Sequence, residues 1–502
     1  MIDSIVNLGK AFVALDKNIE YNDINSLNFK EIVQYFSNPP FNLNNFIEAK
    51  EKDYKFPNIF FIEFKTIDDN VNFVGISKEI YRQEYDDKVL NFPARGGVYS
   101  TPTLKIIPKG KKSDNIKKKI ENGIENSLNH IKKYFKKFEK NKKYKNYILL
   151  NKINQVLIDN YSIIRQQLFE KQIDIFPSKT KIGTGINSLL SIKIDDKLPY
   201  EIGEVVEVFN DKLMSDYGFK NLIDINICSL CHDKNSEKLI SGNFSPFSFY
   251  TSDKKGYIAG GFNKKLVHLN YPVCKKCALY ALIGANLLKT QFTFKLGGIN
   301  FYLIPRMLIL EENMREFLFQ FDDIKNKLLT RKISYEQFAQ GENLILDVLS
   351  KFNDSIVFNF LFYELSGPGK SVFNILLLIQ DISPSRIQKI NDEINNVDNF
   401  ERRPLFPGVN ADKFPMIFSF RNLRNLFYNR NLRYFDRDRY LQTLWMLFTG
   451  KDITFKRLIT FFFKKLKDNL HLNNKSTFNL SYDIKNFIPI ILLFGKLNQL
   501  II

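Results

Sequence analysis

The chain has 502 residues, 44% hydrophobic and 14% aromatic, so it is long enough for about three domains and can bury a large core. Its net charge of +19 favours a polyanionic partner, most often nucleic acid, although AT-rich codon usage also explains much of the lysine. The apolar run at residues 487–494 is too short to span a bilayer, and the first residues do not resemble a signal peptide. We therefore expect a soluble, cytoplasmic protein with no membrane partner.

The first 105 residues alternate short apolar runs with Pro, Asn and Gly, a pattern that predicts strands joined by turns. Two strands are expected at residues 56–64 and 71–76. Residues 93–97, Pro-Ala-Arg-Gly-Gly, are expected to form a turn or an exposed loop.

A long helix is predicted to begin near Ser113, because apolar residues recur at spacings of three and four. This apolar stripe consists of Ile116, Ile120, Ile124, Leu128, Ile131, Phe135 and Phe138. Paired lysines fall mostly off the stripe, so they are typical of a solvated helix face.

All four cysteines of the chain form one pattern of two Cys-x-x-Cys pairs: Cys228 with Cys231, and Cys274 with Cys277. A two-residue spacing lets both thiolates of a pair face one tetrahedral ion, and two pairs complete a four-sulfur shell. Such a shell leaves no coordination position open for water. The pattern therefore predicts structural zinc as the cofactor, with the two pairs joining the ends of an inserted subdomain.

Two other interpretations of the cysteines remain open. Disulfides require an oxidising compartment, and nothing in the sequence indicates export. The run from Cys228 to His232 also matches a c-type haem attachment motif, but haem attachment leaves Cys274 and Cys277 without a role.

The segment after the cysteines is predicted to contain a packed helix and two strand pairs. The helix is expected at residues 278–288. The first pair, at residues 292–296 and 299–304, is joined by Gly297 and Gly298, and a second hairpin is expected at residues 356–382.

From about Ser385 onward, apolar residues recur at helical spacing, which predicts a helical bundle. The expected fold is therefore α+β: a mixed N-terminal region with strands and a long helix, an inserted four-cysteine zinc module and a C-terminal helical bundle. The expected division is residues 1–220 (α+β), 221–290 (zinc module), 291–384 (strand-rich continuation of the α+β domain) and 385–502 (bundle).

Arginines are concentrated in the C-terminal region, with eight between residues 402 and 439, interleaved with aromatic side chains. Arginine binds phosphate in a bidentate manner and aromatic rings stack on bases, so the region is a candidate nucleic-acid interface. The chosen candidates are Arg421, Arg424, Arg430, Arg433 and Arg437, the last three expected to share one helical face. An internal ion-pair network with Asp436 and Asp438 remains the alternative.

The segment from Cys228 to Pro305 resembles the large subunit of the type I-B CRISPR Cascade complex, the CRISPR-associated Csh family. The resemblance rests on the two Cys pairs, residues 249–256 (Phe-Tyr-Thr-Ser-Asp-Lys-Lys-Gly), residues 271–278 and residues 301–305. Residues 381–386 (Asp-Ile-Ser-Pro-Ser-Arg) are similar to a further region of that family.

The resemblance implies a non-catalytic subunit of an RNA-guided DNA surveillance complex. It implies guide crRNA and target double-stranded DNA as ligands, with CRISPR backbone subunits, small subunits and a helicase-nuclease as protein partners. The subunit would recognise the protospacer-adjacent motif (PAM), a short sequence beside the target, and would help to start unwinding.

Two loops of the first half of the chain are candidates for PAM reading: Arg95 with Gly96 and Gly97, and Lys254 with Lys255. Glycine allows close backbone approach to DNA, and a neighbouring basic side chain can hold phosphate or enter the minor groove. Ordinary turns explain the same residues.

Two alternative functions remain. One is a type III-like effector large subunit with nuclease or nucleotidyl-cyclase activity, which would need clustered carboxylates or a His-Asp pair. The sequence shows no such constellation, so we expect no enzymatic activity. The other is a stand-alone zinc-containing RNA-binding protein.

Overall fold

The structure is a computed structural model in which the chain forms two compact units. The first unit comprises residues 26–279 and the second comprises residues 1–25 and 280–502. The expected α+β class is confirmed, whereas the four-segment division stays a prediction. The structure describes residues 1–27, 58–68, 70–80, 85, 89, 102–108, 115–140, 148–174, 188–216, 222–223, 227–234, 238–239, 272–309, 312–329, 345–367, 372–400, 418–429, 434–472 and 478–501.

The first unit contains a four-stranded sheet with the order β2-β1-β4-β3. Its strands are β1 (Asn58–Ile67), β2 (Asn70–Ile80), β3 (Leu104–Ile106) and β4 (Ser188–Ile194). Strand β1 is antiparallel to β2 and parallel to β4. Residues 59–62 of β1 are all buried, because this central strand is covered on both faces, whereas exposed positions recur along the edge strand β2.

Helices pack against this sheet. They are α2 (Ile116–Lys140), α3 (Ile148–Asp159) and α4 (Tyr161–Asp174), with α5 (Gly203–Asp216) against α3. The predicted long helix is confirmed as α2, and five members of its apolar stripe, from Ile120 to Phe135, are buried. A small antiparallel sheet in the same unit consists of β5 (Leu222–Ile223), β6 (Lys238–Leu239) and β7 (Val273–Cys274).

Helix α6 (Lys275–Thr290) follows β7 directly, and its last residues belong to the second unit. The second unit has a four-stranded antiparallel sheet with the order β11-β10-β9-β8. Its strands are β8 (Thr293–Leu296), β9 (Ile299–Met307), β10 (Ile356–Ser366) and β11 (Val372–Ile382). Both predicted hairpins are thus confirmed, and Gly297 and Gly298 turn the first with positive φ angles of 55° and 78°, which favour glycine.

Helix α1 (Ile2–Lys17) differs from the expectation for this region, where the sequence predicts short apolar runs separated by turns. Ten of its residues are buried. A helix that is apolar on most sides lacks the polar face by which helical periodicity is recognised.

Two glycines bring α1 and α6 into backbone contact. A Cβ atom added to Gly9 would lie 2.0 Å from the carbonyl oxygen of Tyr280, and one added to Gly284 would lie 1.9 Å from that of Ile5. Tyr280 also donates a hydrogen bond from its buried hydroxyl to the carbonyl of Ile24, at 3.1 Å. Residues at the start of the chain are therefore part of the core of the second unit. Helix α7 (Asn313–Leu329) also contacts α1.

The helical C-terminal region predicted from residue 385 is present. Its helices are α8 (Pro384–Phe400), α9 (Phe420–Leu426), α10 (Arg437–Thr449), α11 (Phe455–Leu472) and α12 (Phe478–Lys496). Two short strand pairs accompany these helices: β12 (Tyr428–Asn429) with β13 (Tyr434–Phe435), and β14 (Ile453–Thr454) with β15 (Leu500–Ile501), which follows α12. Helices α8 and α10 also contact strands β10 and β11, so this region shares a core with the sheet.

Phenylalanine rings form much of that shared core. Phe360 of β10 packs against Phe301 of β9 and Phe448 of α10, with ring centroids 5.2 and 4.9 Å apart. None of the described helices is both long and apolar enough to cross a membrane.

Candidate metal centre and arginine cavity

The four cysteines come from two short turns that the small sheet brings together. Cys274 ends strand β7, and Cys277 lies in the first turn of α6. Cys228 and Cys231 lie in a turn in which the His232 amide donates to the Cys228 carbonyl at 3.0 Å. His232 has a φ of 57°, a left-handed backbone conformation in which His is enriched among non-glycine residues.

The sulfur atoms form one cluster, in which all four lie within 4.8 Å of one another. The Sγ atoms of Cys231 and Cys274 are 3.8 Å apart. Zinc–sulfur bonds of about 2.3 Å place the corners of a tetrahedron about 3.8 Å apart, so this separation fits two ligands of one ion. It is far longer than a disulfide bond of about 2.05 Å.

Backbone amides support the sulfur cluster. The amide of Cys274 donates to the Sγ of Cys228 at 3.3 Å, and that of Cys277 donates to the Sγ of Cys274 at 3.5 Å. Such donors orient metal ligands and stabilise the negative charge of thiolates. Three of the cysteines are buried, and Cys231 is exposed.

Mutual hydrogen bonding among the thiols separates their pKa values. Bonds from Cys274 and Cys277 lower the pKa of Cys228, so its thiolate is favoured. The hydrogen bond with Cys228 in turn raises the pKa of Cys274 to about 11, and that of Cys277 is also raised. A divalent cation would replace these shared protons, and four thiolates are a donor set typical of structural zinc.

The candidate arginines do not lie on one helix. Arg421 and Arg424 belong to α9, and Arg437 begins α10. Strands β12 and β13 pair between these helices, so Arg437 does not continue a helix from the preceding residues; the shared face with Arg430 and Arg433 stays a prediction. Asp436 caps α10, since its side chain accepts from the Arg439 amide and starts the helix there. Arg430 and Arg433 lie outside the described residues.

The described arginines differ in their partners. Arg437 forms an ion pair with Glu364 at 2.6 Å, and Arg439 forms one with Asp436 at 3.3 Å, as the internal-network alternative expects. Arg424 instead lies over the ring of Phe435, with its guanidinium carbon 4.5 Å from the centroid. Within the described part of the chain, Arg424 has no carboxylate partner, and nucleic-acid contact by these arginines stays a prediction.

A cavity of about 460 Å³ lies beside Arg424 in the second unit. Its lining combines the β8–β9 turn, strands β10 and β11, the β13 strand and the start of α10. The lining residues are Gly298, Ile299, Asn300, Tyr363, Glu364, Leu376, Arg424, Phe435, Arg437 and Asp438. Of these residues, the sequence indicated the two arginines as candidate ligands and Asp438 as a possible ion-pair partner, whereas residues 298–300, 363–364 and 376 come from strands distant in sequence.

Arg386, in the segment that resembles the Csh family, has a structural role. Its Nη2 donates to the carbonyl of Leu447, at the end of α10, and to the Oε1 of Gln499 at 2.7 Å. Gln499 in turn donates to the carbonyls of Met446 and Lys451. Burial lowers the pKa of Arg386. These two side chains thus satisfy the carbonyl groups that end α10.

The candidate PAM-reading residues, Arg95, Gly96, Gly97, Lys254 and Lys255, lie outside the described residues. Their roles stay predictions.

Residues 225–382 match a family model described as the central domain of CRISPR-associated protein TM1802 (cas_TM1802). The matched segment contains the four cysteines and strands β8 to β11, and it covers less than half of the chain. No curated protein matches the chain. The match of the segment that carries the four cysteines and strands β8 to β11 therefore supports a CRISPR-associated protein.

Proposed function

We propose that the chain is the non-catalytic large subunit of a type I-B Cascade complex, an RNA-guided system of antiviral defence. The match of residues 225–382 to a CRISPR-associated central domain is the observation that carries this proposal. The net charge of +19 is consistent with RNA and DNA ligands.

In this proposal the subunit binds guide crRNA and target double-stranded DNA in the cytoplasm. It recognises the PAM, supports R-loop formation, and recruits the helicase-nuclease that cuts the target. Backbone subunits and small subunits complete the complex. Guide pairing supplies most of the sequence specificity, so the protein needs to read only a short motif and the shape of the nucleic acid.

The metal centre has a structural role in this proposal. Four cysteine ligands close the coordination shell, so a zinc ion there leaves no position for substrate or water. Zinc would instead hold the turn of Cys228 and Cys231 against the start of α6. Its binding free energy would contribute directly to the folding of this segment.

Affinity purification of the tagged chain from its native host tests the proposal. We expect it to co-purify with a small guide RNA, a multi-copy backbone subunit and small subunits. Recovery of RNA without other CRISPR-associated proteins would instead favour a stand-alone zinc-containing RNA-binding protein. Metal-dependent cleavage or nucleotide cyclisation by the purified chain, abolished by a point substitution, would favour a type III-like effector.

Substitutions in the two PAM-reading candidates test that part of the proposal. In the assembled complex, Arg95→Ala or Lys254→Ala should reduce discrimination between correct and incorrect PAMs by about 1–3 kcal/mol per lost base contact. A residue that only holds phosphate would weaken both targets equally. An unchanged ratio for both variants would contradict these assignments.

A further inference from the structure

Arg424 lies in the wall of this cavity. Its guanidinium has a ring beneath it at Phe435 and, within the described residues, no carboxylate beside it. Gly298 leaves the space that the arginine occupies, because a Cβ atom there would lie 2.8 Å from the Arg424 Nη1. The positive φ of Gly298, 78°, also favours glycine. The turn and the ring thus hold a positive charge at the wall of the cavity.

The cavity lining also contains a negatively charged residue, Asp438. Its side chain is 93% exposed, and it forms a long ion pair with the Nε of Arg437 at 3.9 Å. Arg437 itself is paired closely with Glu364. The cavity therefore combines Arg424, a cation without an acidic partner among the described residues, with Asp438, a carboxylate that is only weakly paired.

A ribonucleotide has the chemistry that matches this arrangement. Its phosphate accepts hydrogen bonds from a guanidinium, its base can stack on the outer face of a planar arginine, and its hydroxyl groups donate to carboxylates. A volume of about 460 Å³ lies within the usual range of small-molecule sites, about 300–1,000 Å³. Asn300 and Tyr363 add polar groups to the lining.

We propose that this cavity binds one ribonucleotide unit, with its phosphate at Arg424 and a ribose hydroxyl at Asp438. The unit is either a free nucleotide or one residue of an RNA strand. In the second case the inference rests on the proposed function and identifies a contact to RNA that is separate from PAM reading.

Binding of AMP, dAMP and inorganic phosphate to the full chain tests the proposal by calorimetry. We expect AMP to bind more tightly than either dAMP or phosphate. Arg424→Ala should weaken AMP binding by roughly tenfold or more, since a charge-assisted hydrogen bond is lost. Arg424→Lys should recover little of this loss, because lysine lacks the planar fork.

Arg439→Ala is the matched control. It removes the same charge from the same region, but Arg439 does not line the cavity and pairs with Asp436. We expect it to change AMP affinity less than twofold. Equal losses in Arg424→Ala and Arg439→Ala would overturn the proposal, as would phosphate binding as tightly as AMP.

Asp438→Asn tests the ribose contact without changing Arg424. It should bring the affinities for AMP and dAMP close together, and an unchanged ratio would overturn the assignment of Asp438. If Arg424→Ala does not fold, as judged by circular dichroism, Asn300→Ala provides a second cavity variant and should weaken AMP binding severalfold. No effect of Asn300→Ala would then count against the site.

An eight-nucleotide RNA distinguishes the two sources of the nucleotide. RNA that competes with AMP and depends on Arg424 identifies a strand, whereas AMP binding without such competition identifies a free nucleotide. If the native complex retains its guide RNA but Arg424→Ala behaves like Arg439→Ala, the cavity inference fails while the proposed function stands. If the chain binds AMP but never co-purifies with RNA, the cavity inference stands and the proposed function fails.

Discussion

Replacing Gly284 with alanine is the most direct test of the contact between α1 and α6. The added Cβ would lie 1.9 Å from the Ile5 carbonyl oxygen, whereas ordinary van der Waals contact begins at 3.4 Å. The two helices would have to separate by about 1.5 Å at this point, and both facing groups are backbone, which cannot rotate away. Overpacking of this kind costs about 1–3 kcal/mol.

Helix propensity acts in the opposite direction, because alanine is favoured over glycine within a helix by about 0.5–1 kcal/mol. The steric cost is larger, so Gly284→Ala should lower the free energy of unfolding by about 1–2 kcal/mol. This corresponds to a fall in Tm of about 2–8 °C for a unit of this size. Differential scanning calorimetry measures the shift.

Gly495→Ala is the matched control, since Gly495 lies in helix α12 of the same unit and an added Cβ there has no neighbour within 4 Å. It should leave Tm unchanged or raise it. Gly9→Ala should lower Tm, and adding it to Gly284→Ala should cost less than it does alone, because one separation relieves both contacts. A Gly284→Ala protein as stable as Gly495→Ala would refute the backbone contact.

Other predictions concern the metal, the arginines and catalysis. Elemental analysis should find one zinc per chain. Cys277→Ser or a chelator should remove the zinc and increase proteolysis of residues 227–239. Wild-type protein that is purified without chelator and contains no zinc would contradict this prediction. Arg386→Met should lower the free energy of unfolding by about 2–3 kcal/mol, because charged hydrogen bonds at the end of α10 are lost. Arg386→Lys should not restore this stability. A Tm equal to that of wild type would exclude the structural role of Arg386. Arg421→Ala should reduce the slope of log K against log salt for nucleic acid by roughly one unit, and an unchanged slope would indicate that it holds no phosphate. The purified chain should not cleave or polymerise nucleic acid, and activity that survives stringent purification would disprove this.

The sequence predicted the elements whose signal is local. Strands β1, β2, β8 and β9 have turn residues at their ends, and the amphipathic α2 has a regular apolar stripe. The cysteine cluster was predictable because the chemistry of thiolates restricts which spacings can bind one metal ion, and the clustering of all four sulfurs confirms that expectation.

Features that depend on contacts between distant residues could not be predicted in this way. Helix α1 is buried because α6, α7 and β9 cover it, and none of these neighbours is visible in its own sequence. Strands β12 and β13 precede α10 in a region whose arginine spacing is helical, and Asp436 caps α10 only after them. The cavity depends on a turn at Gly298 meeting Arg424, which no local pattern records.

The hydrogen bond from Tyr280 to Ile24 has a consequence for biosynthesis, because it spans 256 residues of chain. Ribosomes add about 5–20 residues per second, so α1 would wait for its partner for about 13–50 s after leaving the ribosome. During this time the apolar helix α1 is not packed against its native neighbours, so chaperones or other nascent chains can bind it. Expression at reduced temperature or with additional chaperone should therefore increase the yield of folded protein, and a chain without residues 1–25 should lose this dependence together with its stable second unit.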